Sequence, residues 1–180
     1  MMKTLGESAR QAFLISVCLL LFSLYGCGYT QHAKLPNDIK TIAIQTFQDE
    51  IPPDRRFAYR PGLEIELTNA ILDRFIFDGN LKVVDQTRAD AVLTGTIIAY
   101  EQEGLRFDDL ESVEEYRLFL VVRFKLVDQK TKKILIQENN FSGRAEFFTS
   151  RAPGATRRIA ASDAVTDLAK SLVNRIVEQW

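Results

Sequence analysis

The chain has 180 residues, and its 23 lysines and arginines are balanced by 24 aspartates and glutamates, giving a formal net charge of −1. A chain so close to neutral is not a general polyanion binder, so we expect no nucleic-acid partner. Its two cysteines and single histidine, His32, do not supply a thiolate metal site or a serine–histidine–aspartate triad inside a folded domain. We therefore predict no enzymatic activity, no cofactor and no metal.

The amino-terminal segment is typical of a secretory signal. An apolar run over residues 12–24 follows Lys3 and Arg10, and it is too short to cross a bilayer as a stable helix. The run ends in the sequence LYGC at residues 24–27. This ending resembles the lipobox of bacterial lipoproteins, with Tyr25 at a position where a small or β-branched residue is usual.

The lipobox resemblance implies how the chain is processed and where it is sent. Residues 1–26 would be removed as a lipoprotein signal peptide, and Cys27 would become the acylated amino terminus. Gly28 follows it, and the absence of Asp at that position favours the periplasmic face of the outer membrane over the inner membrane. Residues 27–38 then form a lipidated tether, and residues 39–180 form a single domain. The alternative is an uncleaved amino-terminal anchor.

The first half of the domain alternates strand and helix signals. Residues 39–47 alternate apolar and polar side chains, which predicts a strand. Residues 61–78 have apolar side chains at helical spacing, with Pro61 suited to a first turn and Gly79 to the position after the last. Residues 81–84 predict a short strand.

The second half of the domain predicts a run of strands and a closing helix. Residues 90–101 form a strand in which Gly95 marks a bulge or a close contact. The expected order of the remaining elements is a long loop at 102–115, a strand at 116–128, a turn at 129–133, a strand at 134–148 kinked near Gly143, a loop at 151–158, and a helix at 162–180 capped by Ser162. The predicted fold is α+β, with two helices packed on one face of a mixed four- to five-stranded sheet.

The strand at 116–128 carries the candidate binding residues. Its even positions from Tyr116 to Leu126 are all apolar, whereas its odd positions include Arg117, Arg123 and Lys125. Arg144 on the next strand extends this basic surface, and guanidinium groups bind phosphates bidentately. The surface is therefore either a site for a phosphorylated glycolipid or simply a solvated face.

Charge is distributed unevenly around that strand. Residues 101–115 hold seven acids and one base, whereas residues 116–133 hold six bases and one acid. Paired carboxylates in the acidic stretch are a formal possibility for catalysis, but such runs are usually solvated loop charges. Local compensation between the acidic and basic stretches is the simpler explanation.

The order of these segments is similar to that of a known family. The segments that carry the similarity are residues 27–29 (CGY), 39–47 (IKTIAIQTF), 59–68 (YRPGLEIELT), 79–84 (GNLKVV), 89–95 (ADAVLTG) and 177–180 (VEQW). Together they resemble LptE, the lipopolysaccharide-assembly lipoprotein, over nearly the whole processed chain. No single motif among them is diagnostic.

The resemblance implies a function that composition and periodicity do not. The family plugs the large outer-membrane barrel LptD, helps it to assemble, and binds lipopolysaccharide during delivery to the cell surface. In the family a loop ahead of the central hairpin contributes to glycolipid contact, whereas here residues 101–115 are acidic. The alternative is a structural accessory lipoprotein of another envelope secretion or flagellar machine, and an envelope hydrolase is a distant third.

Overall fold

The computed structural model describes residues 39–52, 61–149 and 153–178, which form one sheet and two long helices. Within these ranges the strands are β1 (Thr41–Ile44), β2 (Gln48–Asp49), β3 (Lys82–Val83), β4 (Ala91–Phe107), β5 (Val113–Asp128) and β6 (Ile134–Phe148), and the helices are α1 (Leu63–Asp78) and α2 (Pro153–Glu178), with a 3₁₀ turn at Gln86–Arg88. The signal peptide, Cys27 and the tether lie outside the described residues, so the predictions made for them stay predictions.

The sheet is mixed and has the order β3-β1-β4-β5-β6. β3 and β1 run parallel to β4, whereas β4, β5 and β6 form a continuous antiparallel meander. Only part of the predicted strand at 39–47 is observed, because β1 ends at Ile44 after pairing with β4 near Val92. β2 lies just beyond the predicted strand and pairs with β4 further along, at Thr96 and Ile97.

Both helices cover one face of this sheet, which confirms the predicted α+β class. The even positions of β5 supply the centre of the core, and five of them are nearly inaccessible to solvent: Leu118, Leu120, Val122, Phe124 and Leu126. Leu67 and Phe75 of α1 and Leu168 and Leu172 of α2 complete the same cluster. The apolar faces of two amphipathic helices thus bury one face of the sheet and leave the other open.

Helix α1 begins and ends at glycines, close to the predicted limits. Gly62 and Gly79 both adopt the left-handed backbone conformation, with φ of 96° and 76°. The N–H of Gly79 donates to the carbonyl of Phe75, which closes the last turn. A buried threonine then joins this helix to the sheet, because the Thr68 hydroxyl accepts a hydrogen bond from the N–H of Phe47 at 2.9 Å.

The predicted long loop at 102–115 is wrong. β4 continues to Phe107 and β5 begins at Val113, so most of this stretch is the outer end of a long hairpin. The turn is built by Asp108, whose side chain accepts hydrogen bonds from the N–H groups of Leu110 and Ser112. The alternation that marks a strand is weak here because this end of the hairpin extends beyond the deepest part of the core.

The start of the second helix is also different from the prediction. α2 begins at Pro153 instead of Ser162, and Ser162 lies inside the helix, where its carbonyl accepts a hydrogen bond from the Thr166 hydroxyl. Proline is compatible with a first helical turn, so the Pro153–Gly154 pair marks a helix start here and not the loop that was predicted.

The two strand glycines are sites of close packing. A Cβ atom on Gly95 would lie 2.1 Å from the Phe47 ring, which confirms the close contact predicted there. A Cβ atom on Gly143 would lie 2.5 Å from the carbonyl oxygen of Ala164 and from Leu168 of α2.

The irregularity predicted near Gly143 is present in β6, but it does not lie at the glycine itself. The irregularity in β6 lies earlier, where Val122 and Phe124 of β5 pair with Phe141 and Glu138. Gly143 is needed because α2 lies directly on the strand.

A hydrogen-bonded carboxylate fixes the start of β4 to the start of β1. Asp90 Oδ2 accepts hydrogen bonds from the Thr41 hydroxyl at 2.8 Å and from the N–H groups of Thr41 and Lys40. Its other oxygen accepts one from Lys130 Nζ at 3.0 Å. The Thr41 hydroxyl, followed by Lys130 and the N–H of Lys40, holds the pKa of Asp90 far below its ordinary range, because all of these bonds favour the charged form.

Candidate functional site

The candidate site is the face of the sheet that the helices leave open, which we call the open face. The odd-numbered side chains of β5 lie on it, because their even-numbered neighbours are buried under the helices. Phe119, Val121 and Val127 are half-buried there, whereas Arg123 and Lys125 are exposed. The open face is therefore a mixed surface, with apolar side chains between charged ones.

Two of the four predicted binding residues are held by carboxylates. The Arg117 guanidinium donates two hydrogen bonds to Glu146 on β6, from Nε at 3.0 Å and from Nη2 at 2.7 Å. Arg123 Nη2 lies 2.8 Å from Glu50, which follows β2. Both pairs are substantially exposed to solvent, so each contributes little to stability and remains available for exchange with another anion.

The other two predicted residues have no carboxylate partner among the described residues. Lys125 is exposed and lies between Thr94 on β4 and Gln137 on β6. Arg144 is also exposed and lies beside Phe119. Its backbone N–H, in contrast, donates to Asp167 of α2 at 3.0 Å, which ties the helix to this strand.

These four cations do not converge on one point. Arg144 pairs with Phe119, and Lys125 lies six positions further along β5, which corresponds to roughly 20 Å of extended strand. Arg117 lies further from Lys125 still. The arrangement suits an extended ligand with several anionic groups better than a single phosphate.

A concave basin surrounds the cationic end of the open face. Its volume is about 510 Å³, which is within the range of small-ligand sites. Two cations, Arg123 and Lys125, line the basin together with Ile134. The other lining side chains are amides and hydroxyls: Gln45, Thr46, Gln48, Thr94, Thr96 and Gln137. Such groups both donate and accept hydrogen bonds, so the basin is able to bind polyhydroxylated and anionic groups together.

Sequence reasoning missed the acids and the amides of this surface. Glu50 and Glu146 are far from their arginine partners in sequence, by 73 and 29 positions, so only the strand register brings them together. Thr94 and Thr96 could have been predicted from the sequence. They are two residues apart in a strand, so both side chains lie on the same face of β4.

No group of three His, Cys, Asp or Glu side chains suited to hold a metal ion occurs within 39–52, 61–149 and 153–178. No helix in that part of the chain is long and apolar enough to cross a membrane.

The fold and the open face together define the class of this protein. It is an α+β domain in which two helices back an open sheet, and its candidate site is a hydrogen-bonding and cationic strand face. The model of one family, LptE, described as lipopolysaccharide-assembly, matches residues 39–179. The chain belongs to this family, and it is a lipoprotein of lipopolysaccharide assembly and not an enzyme.

Solved structures have the same fold at low sequence identity. A protein of Xanthomonas campestris is 13% identical with a TM-score of 0.57, and the match covers 83% of this chain and 89% of that one. Lipoprotein B of Nitrosomonas europaea is 17% identical with a TM-score of 0.50, covering 84% and 89%. A minor lipoprotein of Acinetobacter baumannii is 13% identical with a TM-score of 0.50, covering 78% and 94%. No curated protein matches the sequence.

Proposed function

We propose that this lipoprotein is held at the periplasmic face of the outer membrane by an acylated Cys27 and docks as a plug within an LptD-like barrel. In that position it helps the barrel to assemble and presents its open face to lipopolysaccharide on the way to the cell surface. Family membership supports the assembly role. The observation that carries the glycolipid contact is the basin, in which Lys125 stands among amides and hydroxyls.

The chemistry of the open face fits a phosphorylated glycolipid. Lys125 and Arg144 supply charge without a competing carboxylate among the described residues, while Arg117 and Arg123 exchange Glu146 and Glu50 for a ligand phosphate. The hydroxyl and amide side chains match sugar hydroxyl groups. The half-buried Phe119 and Val121 offer apolar area between the cationic positions.

The glycolipid contact is tested by removing charge from the open face. Replacing Lys125 and Arg144 with Ser should weaken lipopolysaccharide binding, and adding Arg117→Ser and Arg123→Ser should weaken it further. The matched control replaces Arg158 and Lys170 with Ser, because both are exposed on α2, away from the open face. The loss should shrink as salt rises, since exposed charges are screened within about 8 Å at physiological ionic strength. Equal affinities for the two double variants would show that the open face is only solvated.

Barrel docking is tested separately, on the same proteins. A large barrel should co-purify with the wild type and with the open-face variants from detergent-solubilised outer membrane. The complex should remain intact at moderate salt, because such docking depends on shape and apolar contacts. If no barrel accompanies the wild type, the plug proposal fails, and an accessory role in another envelope machine takes its place.

A further inference from the structure

The end of the sheet at which the chain enters the domain is marked by lysines, and we call it the entry end. β1 begins there at Thr41, which pairs with Lys82 at the start of β3. The turn between β5 and β6 reaches the same place, because the N–H of Gln129 donates to the carbonyl of Asp90, directly before β4. Three separate segments therefore meet at the entry end. All of them carry exposed lysines, which are Lys40, Lys82, Lys132 and Lys133.

A buried carboxylate holds the lysines of the β5–β6 turn in place. Asp128 is 2% exposed, and its Oδ1 accepts hydrogen bonds from the N–H groups of Lys130 and Thr131. The carbonyl of Asp128 accepts a further bond from the N–H of Lys132, whose backbone has a φ of 59°. These bonds fix the turn, so the side chains of Lys132 and Lys133 are presented to solvent.

Two carboxylates of the entry end are already paired with cations. Asp90 Oδ1 lies 3.0 Å from Lys130 Nζ. Asp85, which follows β3, bonds to Arg88. Neither of these two acids is therefore available to compensate the exposed lysines.

The four exposed lysines carry uncompensated charge. Lys132 Nζ donates to a neutral acceptor, the Gln129 amide oxygen, at 2.7 Å. Within the described ranges none of the four forms an ion pair. Asp78 and Glu178 end the two helices and also form no ion pair with a described cation. Four lysines face two such carboxylates, so the entry end keeps a positive balance.

The opposite end of the central hairpin has the opposite charge. Residues 101–115 hold seven acids and one base. β5 has 16 residues, so about 50 Å of strand separates this hairpin end from the β5–β6 turn. A domain with opposite charges at its two ends is oriented by the field of a charged surface. An anionic surface attracts the entry end and repels the hairpin end.

Exposed apolar side chains accompany the lysines. Phe77 in the last turn of α1 is 80% exposed, and Ile76 is 62% exposed. Five residues separate Phe77 from Lys82, so the two lie within about 17 Å of each other. The Arg74 guanidinium lies 5.2 Å from the centroid of the Phe77 ring. Cations beside an aromatic ring match the boundary between the phosphates and the acyl chains of a bilayer.

We propose that the entry end binds the surface of an anionic phospholipid bilayer, with its lysines on the phosphates and Phe77 at the acyl boundary. This inference rests on the acylated Cys27 of the proposed function and concerns the protein before it docks in a barrel. Residues 27–38 join the domain at Ile39 and span at most about 40 Å. An acylated Cys27 therefore keeps the entry end close to the membrane, and the lysines then set the direction in which the domain faces.

The test adds the acylated protein, purified without a barrel, to two kinds of preformed vesicle. One contains phosphatidylglycerol and phosphatidylethanolamine, and the other contains phosphatidylcholine alone. Acetylation of individual lysines is followed by mass spectrometry. Lys40, Lys132 and Lys133 should react about fivefold more slowly on the anionic vesicles, whereas the exposed Lys170 of α2 should react equally on both.

Retention on the vesicles separates this inference from the anchor. Protein held by both vesicles with equal lysine reactivity would overturn the entry-end contact and leave the anchor standing. Protein held only by the anionic vesicles would overturn the anchor and support the entry-end contact. Protein held by neither would overturn both. Lysines protected only in native outer membrane, and not on either vesicle, would assign the entry end to an acidic protein and overturn the bilayer proposal.

Charge variants locate the contact on the domain. Lys132→Gln with Lys133→Gln should bring the acetylation of Lys40 on anionic vesicles to within about twofold of its rate on neutral ones. Arg106→Gln with Arg158→Gln makes the same charge change at exposed positions away from the entry end and should leave the fivefold difference. Equal effects of the two pairs would contradict a contact at the entry end.

The apolar part of the contact has its own probe. Phe77→Trp in a chain with Trp180→Phe should be quenched by brominated phospholipids in the anionic vesicles, because its ring lies at the acyl boundary. Ile159→Trp in the same background is the control, because Ile159 is 62% exposed near the start of α2. It should be quenched little. Equal quenching of the two would contradict the proposed orientation.

Discussion

Gly143 shows how a single missing side chain sets the distance between a helix and the sheet. The backbone of α2 at Ala164 and Leu168 lies where a Cβ atom on residue 143 would be. The helix can approach β6 this closely only because the strand has no side chain at that point. Leu168 and its neighbours then complete the core.

Replacing Gly143 with Ala should therefore destabilise the domain. The added methyl overlaps backbone atoms of α2 that cannot move independently, so we expect a loss of about 1–3 kcal/mol in the free energy of unfolding. Gly154→Ala is the matched control, because no atom lies within 4 Å of its added Cβ and the residue is in the first turn of a helix. It should be neutral or stabilising by up to about 1 kcal/mol. Urea denaturation of both variants measures the difference in the free energy of unfolding. Similar denaturation midpoints would show that α2 moves away from β6 at little cost.

Asp90 makes the stability of the domain depend on pH in the acid range. Hydrogen bonds from Thr41, Lys130 and Lys40 hold the pKa of Asp90 in the folded state well below the ordinary value of 3.8. The stability from this carboxylate is therefore fully present above about pH 4 and is lost as the pH falls towards the folded-state pKa.

Asp90→Asn should destabilise the protein at neutral pH, and its deficit relative to the wild type should narrow from about pH 4 to pH 2. The amide carries no charge to lose, so only the wild type loses this contribution on acidification. Asp109→Asn at the exposed hairpin end provides the control, and its difference from the wild type should stay small throughout. Denaturation curves across this range would contradict the assignment if the Asp90→Asn deficit were constant.

At the scale of elements, the periodicity of β5 correctly predicted which of its two faces is buried. Its even positions are apolar from Tyr116 to Leu126, and the structure buries five of these six side chains. The pattern was clear because the strand is central in the meander, with one face under both helices. The hairpin end at 102–115 lacks that contrast, so it was predicted as a loop although it is mostly strand.

The two faces of β5 should respond differently to truncation. Leu120 is fully buried between helix and sheet, so Leu120→Ala should cost about 2–5 kcal/mol. Arg123 is half exposed, and its ion-pair partner among the described residues is the equally exposed Glu50, so Arg123→Ala should cost less than about 1 kcal/mol. Chemical denaturation of the two variants under identical conditions gives both values. Similar losses in the free energy of unfolding would be incompatible with one buried face and one solvent-exposed face on the same strand.

At the scale of the whole molecule, the sequence predicted which cations share a face of the sheet but not which side chains they bind. Arg117, Arg123 and Lys125 are all at odd positions of β5. They lie on the same face of the sheet, because successive side chains of a strand point to opposite faces. Their partners depend on β2 and β6, whose register is a property of the folded sheet. Two of the cations were therefore found paired with Glu50 and Glu146, and the basin was not predicted at all.

The lipid anchor at Cys27 is proposed from the sequence alone, and it can be tested directly. We expect the protein recovered from membranes to begin at Cys27, with residues 1–26 removed and acyl mass added, because the LYGC sequence at 24–27 follows a signal-like apolar run. Mass spectrometry of the detergent extract measures both changes. Each acyl chain adds about 0.8 kcal/mol of membrane affinity per buried methylene, so Cys27→Ala should lose membrane attachment unless a partner retains it. A Cys27→Ala protein that is still cleaved after Gly26 and stays tightly bound to membranes without a partner would contradict acylation at this residue.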